Sequence, residues 1–289
     1  IRARREVLVC AGTIASPAIL LRSGVGDAAM LARHGIAVAV DRPAVGRNLQ
    51  EHVRLMLAMR TCVPSLNRGA HGWRLAREAL RYALTRRGLL ASTASQVNGF
   101  VRSDPTLDRP DLQLVFRPSS GEYRDGRFVV DRHDGVMAMA SLLHPASRGA
   151  VALASADPRA ASVIRPGHLG DPADVAPLLH GFALLRRIFA TEPMAALVER
   201  EERPGAEVAG EIALRDFAYR TADSAYHAVG TCAMGMSESA VTTPELRVRG
   251  VAGLRVVDAS VMPYVTNGNI YAPVMMVAEK AADLIRSDA

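Results

Sequence analysis

A histidine, a carboxylate and a carboxamide near the C-terminal end of the chain are of the types that hold a redox cofactor and take a proton beside it. His227 lies in Tyr226-His227-Ala228-Val229-Gly230-Thr231, a small-residue segment that reads as a strand running into a turn by Gly235. A neutral imidazole is the natural general base near pH 7. Asp258 follows the largely apolar run Leu254 to Val257. A carboxylate there either caps a turn or accepts hydrogen bonds from the hydroxyls of a bound cofactor. Asn269 stands in Thr266-Asn267-Gly268-Asn269-Ile270-Tyr271. Asn and Gly tolerate left-handed backbone, so this stretch is at least a tight turn. A helix opening at Pro273 carries Val274, Val277, Ala278, Ala281 and Ile285 at helical spacing, which predicts packing on the core. Its N-terminus bears partial positive charge. Met275 and Met276 read as packing residues. The other histidines (His34, His52, His71, His133, His144, His168 and His180) lack surroundings like those of His227.

The elements that must carry these groups are short. Val7 to Ala11 reads as a strand buried on both faces, followed by a turn at Gly12. Ser16 and Pro17 read as the cap and first residue of a helix that stops at Gly24, because proline lacks an N–H that would go unpaired there anyway. A second helix, 28–34, ends at Gly35, and a strand is expected over 36–40. Gly24-Val25-Gly26-Asp27-Ala28-Ala29 fits G-x-G-x-x-A, but a dinucleotide fingerprint must follow a strand. Here a helix precedes it, so the glycines read as a helix end and turn, and the chain offers no other candidate.

In the middle of the chain, Trp73 to Arg87 has helical spacing. Leu75, Ala79, Leu80, Leu84 and Trp73 are expected toward the core, with arginines outward as a solvated basic face; a membrane-surface helix is the less favoured alternative. Strands are expected at 112–116, 136–143 and up to Leu153, with a polar loop over 117–134. A helix is expected over 172–192 with Phe182, Leu185, Ile188 and Phe189 inward, then a charged loop over 199–209. Strands alternating with helices at both ends, around a more antiparallel middle, give α/β with an α+β portion.

Bulk properties exclude several classes. The 289 residues carry a net charge of +6, and all the basic residues but Lys280 are arginine. The arginines are scattered, and no zinc-ligand spacing or aromatic platform accompanies them, which argues against a nucleic-acid partner. Cys10, Cys62 and Cys232 are widely spaced and odd in number, so neither a disulfide framework nor a metal site is expected; a reducing, cytoplasmic setting fits. No apolar run is long enough to span a bilayer. The first apolar stretch is broken by Glu6, Gly12 and Pro17, unlike a signal peptide. The chain opens without Met and almost directly on a strand, so it is expected to begin in the middle of a longer protein.

Several segments, in order, resemble the glucose–methanol–choline (GMC) oxidoreductases. Residues 11–26, AGTIASPAILLRSGVG, are similar to the family signature AGAIGSPQLLLLSGIG. Residues 45–52, VGRNLQEH, resemble its VGxNLQDH loop, and Asn98-Gly99-Phe100-Val101-Arg102-Ser103 resembles a GGF(I/V)RS pattern. The stretch from His227 through Pro244-Glu245-Leu246 and Asp258-Ala259-Ser260-Val261-Met262-Pro263 to Asp283 is closest, with the character of the choline-dehydrogenase-like branch. The resemblance implies a partial FAD-binding, Rossmann-like domain with a mixed or antiparallel substrate domain. Residues 1–55 and 226–289 would belong to the former and 56–225 mainly to the latter.

The resemblance also implies FAD as cofactor and a small alcohol as substrate. His227 would take the hydroxyl proton as hydride passes to flavin N5, and Asn269 would hydrogen-bond the developing alkoxide. Asp258, Ala259, Gly268, Asn269 and Ile270 would contact FAD, and Ala11 and Gly12 would lie near its adenosine half. The helix after Asn269 would point its positive end at the flavin's pyrimidine edge. Two departures stand out. The family's N-terminal βαβ segment is absent, so that segment is an expected partner, and Ala228 stands where many members have Pro. The alternative expectation is a non-catalytic remnant, or a half that needs a partner to hold FAD.

Overall fold

Two apolar runs at opposite ends of the chain, Val7–Val9 and Leu254–Val256, pair in parallel, Val7 opposite Leu254 and Val9 opposite Val256. The computed structural model describes residues 3–124 and 127–288. Among these are six helices: α1 Gly12–Arg22, α2 Ala28–Arg33, α3 Gly72–Thr85, α4 Val175–Phe189, α5 Glu211–Thr221 and α6 Tyr271–Ser287. The chain divides into two compact units. The first is built from Ile1–Val53, Leu143–Asp171 and Ser224–Ala289; the second from Arg54–Leu142 and Pro172–Asp223. Leu143–Asp171, expected with the middle of the chain, thus belongs with the two ends.

The first unit has a core that includes Leu20, Leu21 and Leu31 with Val229, Val256 and Val277. The outer strand of the parallel pair differs from expectation: Val7 and Leu8 are about half exposed, because only one neighbouring strand covers them. Of the strand expected over 36–40, only Val40–Asp41 forms, pairing with Val25–Gly26. Gly24, at φ +82°, ends α1 as expected; a Cβ there would lie 2.3 Å from the Ala37 carbonyl oxygen. Arg255 is fully buried and is held by Glu6 at 2.8 Å, by the Asp288 carboxylate and by the Glu245 carbonyl.

Helix α1 begins at Gly12, four residues before the expected cap, and Pro17 lies inside it. Proline in a helix interior leaves the carbonyl four residues back without its donor. That carbonyl is Thr13, and the buried Thr231 hydroxyl donates to it at 2.6 Å. Ser16 is not a cap; its hydroxyl donates inward to Asp258. Helix α6 likewise starts two residues earlier than expected, placing Pro273 in the first turn, where no N–H is needed.

The second unit is organised on a sheet ordered Val198–Arg203, Val53–Thr61, Gly135–Leu142, Leu112–Arg117, Val97–Val101. Helix α4 packs on its two strands Gly135–Leu142 and Leu112–Arg117. It buries Leu178, Phe182, Leu185 and Phe189 but leaves Ile188 exposed, a correction to the expected stripe. Gly181 allows the approach, since a Cβ there would sit 3.0 Å from that of Ala140. The charged segment expected as a loop over 199–209 begins instead as a sheet strand, its backbone paired with Val53–Thr61. The loop expected over 117–134 contains the hairpin Gly121–Arg124 with Arg127–Val130.

Helix α3 forms where expected but faces the opposite way. Glu78 is its buried residue, accepting from the Leu89 N–H at 3.2 Å, while Trp73, Leu80 and Leu84 are more than half exposed. The inward carboxylate is compensated by that backbone donor and by Arg77 and Arg81, 3.5 and 3.8 Å away. No helix among the described residues is long and apolar enough to cross a membrane.

The Thr231 cap gives a test. Thr231→Val keeps the shape and removes the hydroxyl, and is expected to lower unfolding free energy by about 1–3 kcal/mol. In a Pro17→Ala background a backbone N–H can reach the same carbonyl, so the loss should shrink; denaturant unfolding of the four-member cycle measures the difference.

Candidate active site

The site is built by a strap of the chain, residues 48–52, lying between two loops of the first unit. On one side Gln50 and Val229 exchange both backbone hydrogen bonds at 3.0 Å. The Glu51 carboxylate accepts from the His227 N–H at 2.6 Å and the Ser224 hydroxyl at 2.8 Å, and Ser224 in turn accepts from the Tyr226 N–H at 2.8 Å. The His52 carbonyl accepts from the Ala225 N–H at 2.9 Å. Tyr226 is thereby held at φ +65°, uncommon for a bulky side chain, and the turn closes at Gly230. A Cβ on Gly230 would come within 2.4 Å of the Asn48 carbonyl oxygen. On the other side the Gln50 amide donates to the Pro263 carbonyl at 2.7 Å and its oxygen accepts from the Val265 N–H at 3.3 Å. Asn48 adds a donation to the Pro263 carbonyl at 3.2 Å. The strap therefore sets the distance between the His227 loop and the chain leading to Asn269.

Across this frame three side chains form a line. Asn269 Nδ2 lies 2.9 Å from His227 Nε2, and His227 Nδ1 lies 2.9 Å from His52 Nδ1. The two imidazoles meet edge to face, with ring centroids 5.0 Å apart. Hydrogen-bond bookkeeping fixes the protons. An amide nitrogen only donates, so Nε2 of His227 accepts and carries a lone pair. The neutral His227 ring then has its hydrogen on Nδ1, which donates to Nδ1 of His52. His52 is completely buried. Burial pushes its pKa down to about 4, and the facing His227 acts the same way; the carbonyls of Leu143 and Thr266 oppose the drop. Its Nε2 makes no hydrogen bond of normal geometry, although those carbonyls lie close enough to favour the protonated ring. At neutral pH His52 is an uncharged acceptor that holds His227 in one tautomer.

His52 corrects the reading that no other histidine has surroundings like those of His227. Glu51, Asn48 and Gln50 had also been given no role. The available signal was Asn48-Leu49-Gln50-Glu51-His52 itself, four hydrogen-bonding side chains in five residues of a loop.

The remaining expected residues lie nearby in the same unit. The Asp258 carboxylate accepts from the Gly12 N–H at 3.0 Å, the Ser16 hydroxyl at 2.5 Å and the Ser260 N–H at 2.8 Å. Its charge therefore sits at the N-terminus of α1, engaged by the chain's own donors, and it fixes Gly12 and the turn that begins at Ala259. The Ala11 N–H donates to Ser16 at 3.1 Å. Gly268, at φ +91°, turns the chain into the exposed Asn269, and Ile270 is the cap residue of α6. That helix start has no side-chain cap and no acid in its first turn, so its leading N–H groups and positive end suit an electron-rich ligand edge. Met275 and Met276 beyond it are exposed, not packed as expected. Among the described residues no group of three or more His, Cys, Asp or Glu side chains could hold a metal ion.

Comparison with known proteins identifies the family. The C-terminal GMC oxidoreductase model matches residues 145–278 and the N-terminal one matches residues 1–54. A GMC-type oxidoreductase of Mycobacterium tuberculosis is 41% identical over 99% of this chain and 53% of its own length. The alcohol dehydrogenase [acceptor] of Pseudomonas putida is 38% identical over 97% of this chain and 51% of its own. The oxygen-dependent choline dehydrogenase of Brucella suis is also 38% identical, over 99% of this chain and 52% of its own length. The Aspergillus oryzae formate oxidase, in a structure concerned with modification of its FAD, superposes with a TM-score of 0.92 at 26% identity, over 99% of this chain and 55% of that one. The chain spans about half the length of the curated relatives it matches. With the family models on both ends, the relatives at this identity and the shared fold, the chain belongs to the GMC oxidoreductase family.

Proposed function

We propose that the complete protein oxidises a small alcohol to an aldehyde or ketone with FAD, and that this chain supplies its acid–base pair. The observation that carries the reading is the 2.9 Å contact between Asn269 Nδ2 and His227 Nε2, with the far side of the ring held by His52. A lone pair on Nε2, fixed in place and flanked by an amide donor, is what a base for a hydroxyl proton needs. FAD, when bound, supplies the acceptor for the hydride, at N5. The open N-terminus of α6, with Gly268, Asn269 and Ile270, would receive the pyrimidine edge. The turn at Ala259 and the α1 start at Ala11 and Gly12, both fixed by Asp258, would line the rest. His227 takes the hydroxyl proton, and the Asn269 amide donates to the oxygen as charge develops on it. An amide cannot ionise, so the pair contains one base. Two exposed free cysteines, Cys10 and Cys62, support a reducing, cytoplasmic setting.

A second reading, a half that holds FAD only with the rest of a longer protein, is favoured by the exposed Val7 and Leu8 on a two-stranded pair. Flavin absorbance of the purified chain separates the two: a chain that stays colourless with added FAD, beside a yellow complete protein, supports dependence on the missing segment.

In the complete protein, His227→Ala is expected to slow anaerobic flavin reduction by about 10²–10⁴-fold. Asn269→Ala should cost about 10²–10³-fold, as for loss of a donor to a developing oxyanion. Near-normal reduction in His227→Ala would remove the assignment.

His52 gives a pH test. Folding lowers its pKa from 6.5 to about 4, so the unfolded chain takes up the proton first as pH falls. Stability is therefore expected to drop as pH falls from 6.5 to 4, by roughly 3 kcal/mol at most, and to lose nothing further through this group below that. His52→Leu should flatten that slope and shift the pH profile of flavin reduction, while His52→Asn, whose amide oxygen can still accept from Nδ1, should restore the profile.

A further inference from the structure

Helix α3 presents apolar side chains to solvent where an ordinary surface helix would present polar ones. Trp73, Leu80 and Leu84 are 68%, 60% and 75% exposed. With Ala76 they recur at steps of three or four residues and so share one face of the helix. Arg74, Arg77 and Arg81 border this stripe along its length, and Arg86 and Arg87 lie just past its end. The guanidiniums of Arg74 and Arg77 sit 5.9 and 5.3 Å from the Trp73 ring centre. The helix has one acid, Glu78, and it is turned inward and buried. Its carboxylate lies 3.5 Å from Arg77 and 3.8 Å from Arg81, so the cationic character of the outward face rests chiefly on Arg74, Arg86 and Arg87.

We propose that this face of α3 docks on a lipid bilayer whose surface carries anionic headgroups. The chemistry of the face matches both layers it would meet. Trp73, Leu80 and Leu84 suit the boundary between headgroups and acyl chains, where an amphipathic helix lies in the plane of the membrane. The arginines suit the phosphates, pairing bidentately and drawing on the negative surface potential. A second copy of this chain fits less well, because the same arginines would oppose one another across a two-fold contact. A purely ionic partner such as a nucleic acid leaves the apolar stripe without use.

Trp73 is the chain's one tryptophan and reports directly on the docking. With vesicles of phosphatidylglycerol and phosphatidylcholine at low salt, the chain should co-sediment and Trp73 emission should shift to the blue. With phosphatidylcholine alone, or with anionic vesicles at high salt, neither should occur. Leu80→Ser with Leu84→Ser, and separately Arg74→Glu with Arg87→Glu, which leave the Glu78 ion pairs intact, should each weaken binding at least about tenfold while far-ultraviolet circular dichroism stays unchanged. Three results would overturn the proposal: no binding to anionic vesicles; binding that survives the leucine pair; or Trp73 emission already blue-shifted without lipid together with a concentration-dependent dimer that the leucine pair abolishes.

Discussion

The backbone exchange between Gln50 and Val229 holds the rest of the site in register. It places the strap 48–52 against the His227 loop, and the Gln50 side chain then reaches the opposite way to Pro263 and Val265. Segments far apart in the chain, with Gln50 and Pro263 separated by 213 positions, meet because one glutamine bonds in both directions. Buried amides and backbone groups must find partners, and here each partner belongs to a different segment, so satisfying them assembles the site. The left-handed Tyr226 and the crowded Gly230 are the conformational cost of bringing the imidazole out at that point.

The electrostatics follow from the same frame. An imidazole that is to act as a base, as proposed for His227, is better oriented by a neutral partner than by a second charge, and burial keeps His52 in that state. The carboxylates nearby are kept to other tasks. Glu51 holds backbone and a serine hydroxyl, and Asp258 holds the start of α1. Charge is thus used to fix the scaffold, and the line of His52, His227 and Asn269 is built from uncharged hydrogen-bonding groups.

The general architecture was legible from the sequence, and so was the family, through ordered matches along the chain. Helix existence could be read from spacing, but helix limits could not where tertiary partners intervened. Pro17 reads as a helix start until Thr231, far along the chain, is seen to supply the missing hydrogen bond. Periodicity does not encode the rotation of α3, which turns Glu78 inward to the Leu89 N–H, a partner outside the helix. The strand at Val198–Arg203 looked like a loop because its charges conceal backbone groups that only the neighbouring strand makes useful. His52 was passed over because a lone histidine in a loop has no local mark of what lies across from it.

Arg255 ties the two ends of the chain together. A guanidinium removed from water needs its carboxylates, and one of them, Asp288, is the last described residue of the chain. Replacing that residue by a neutral one would leave a buried cation with Glu6 as its remaining carboxylate among the described residues. Asp288, though exposed and distant from the imidazole, thereby supports the strand pair that leads to Asp258.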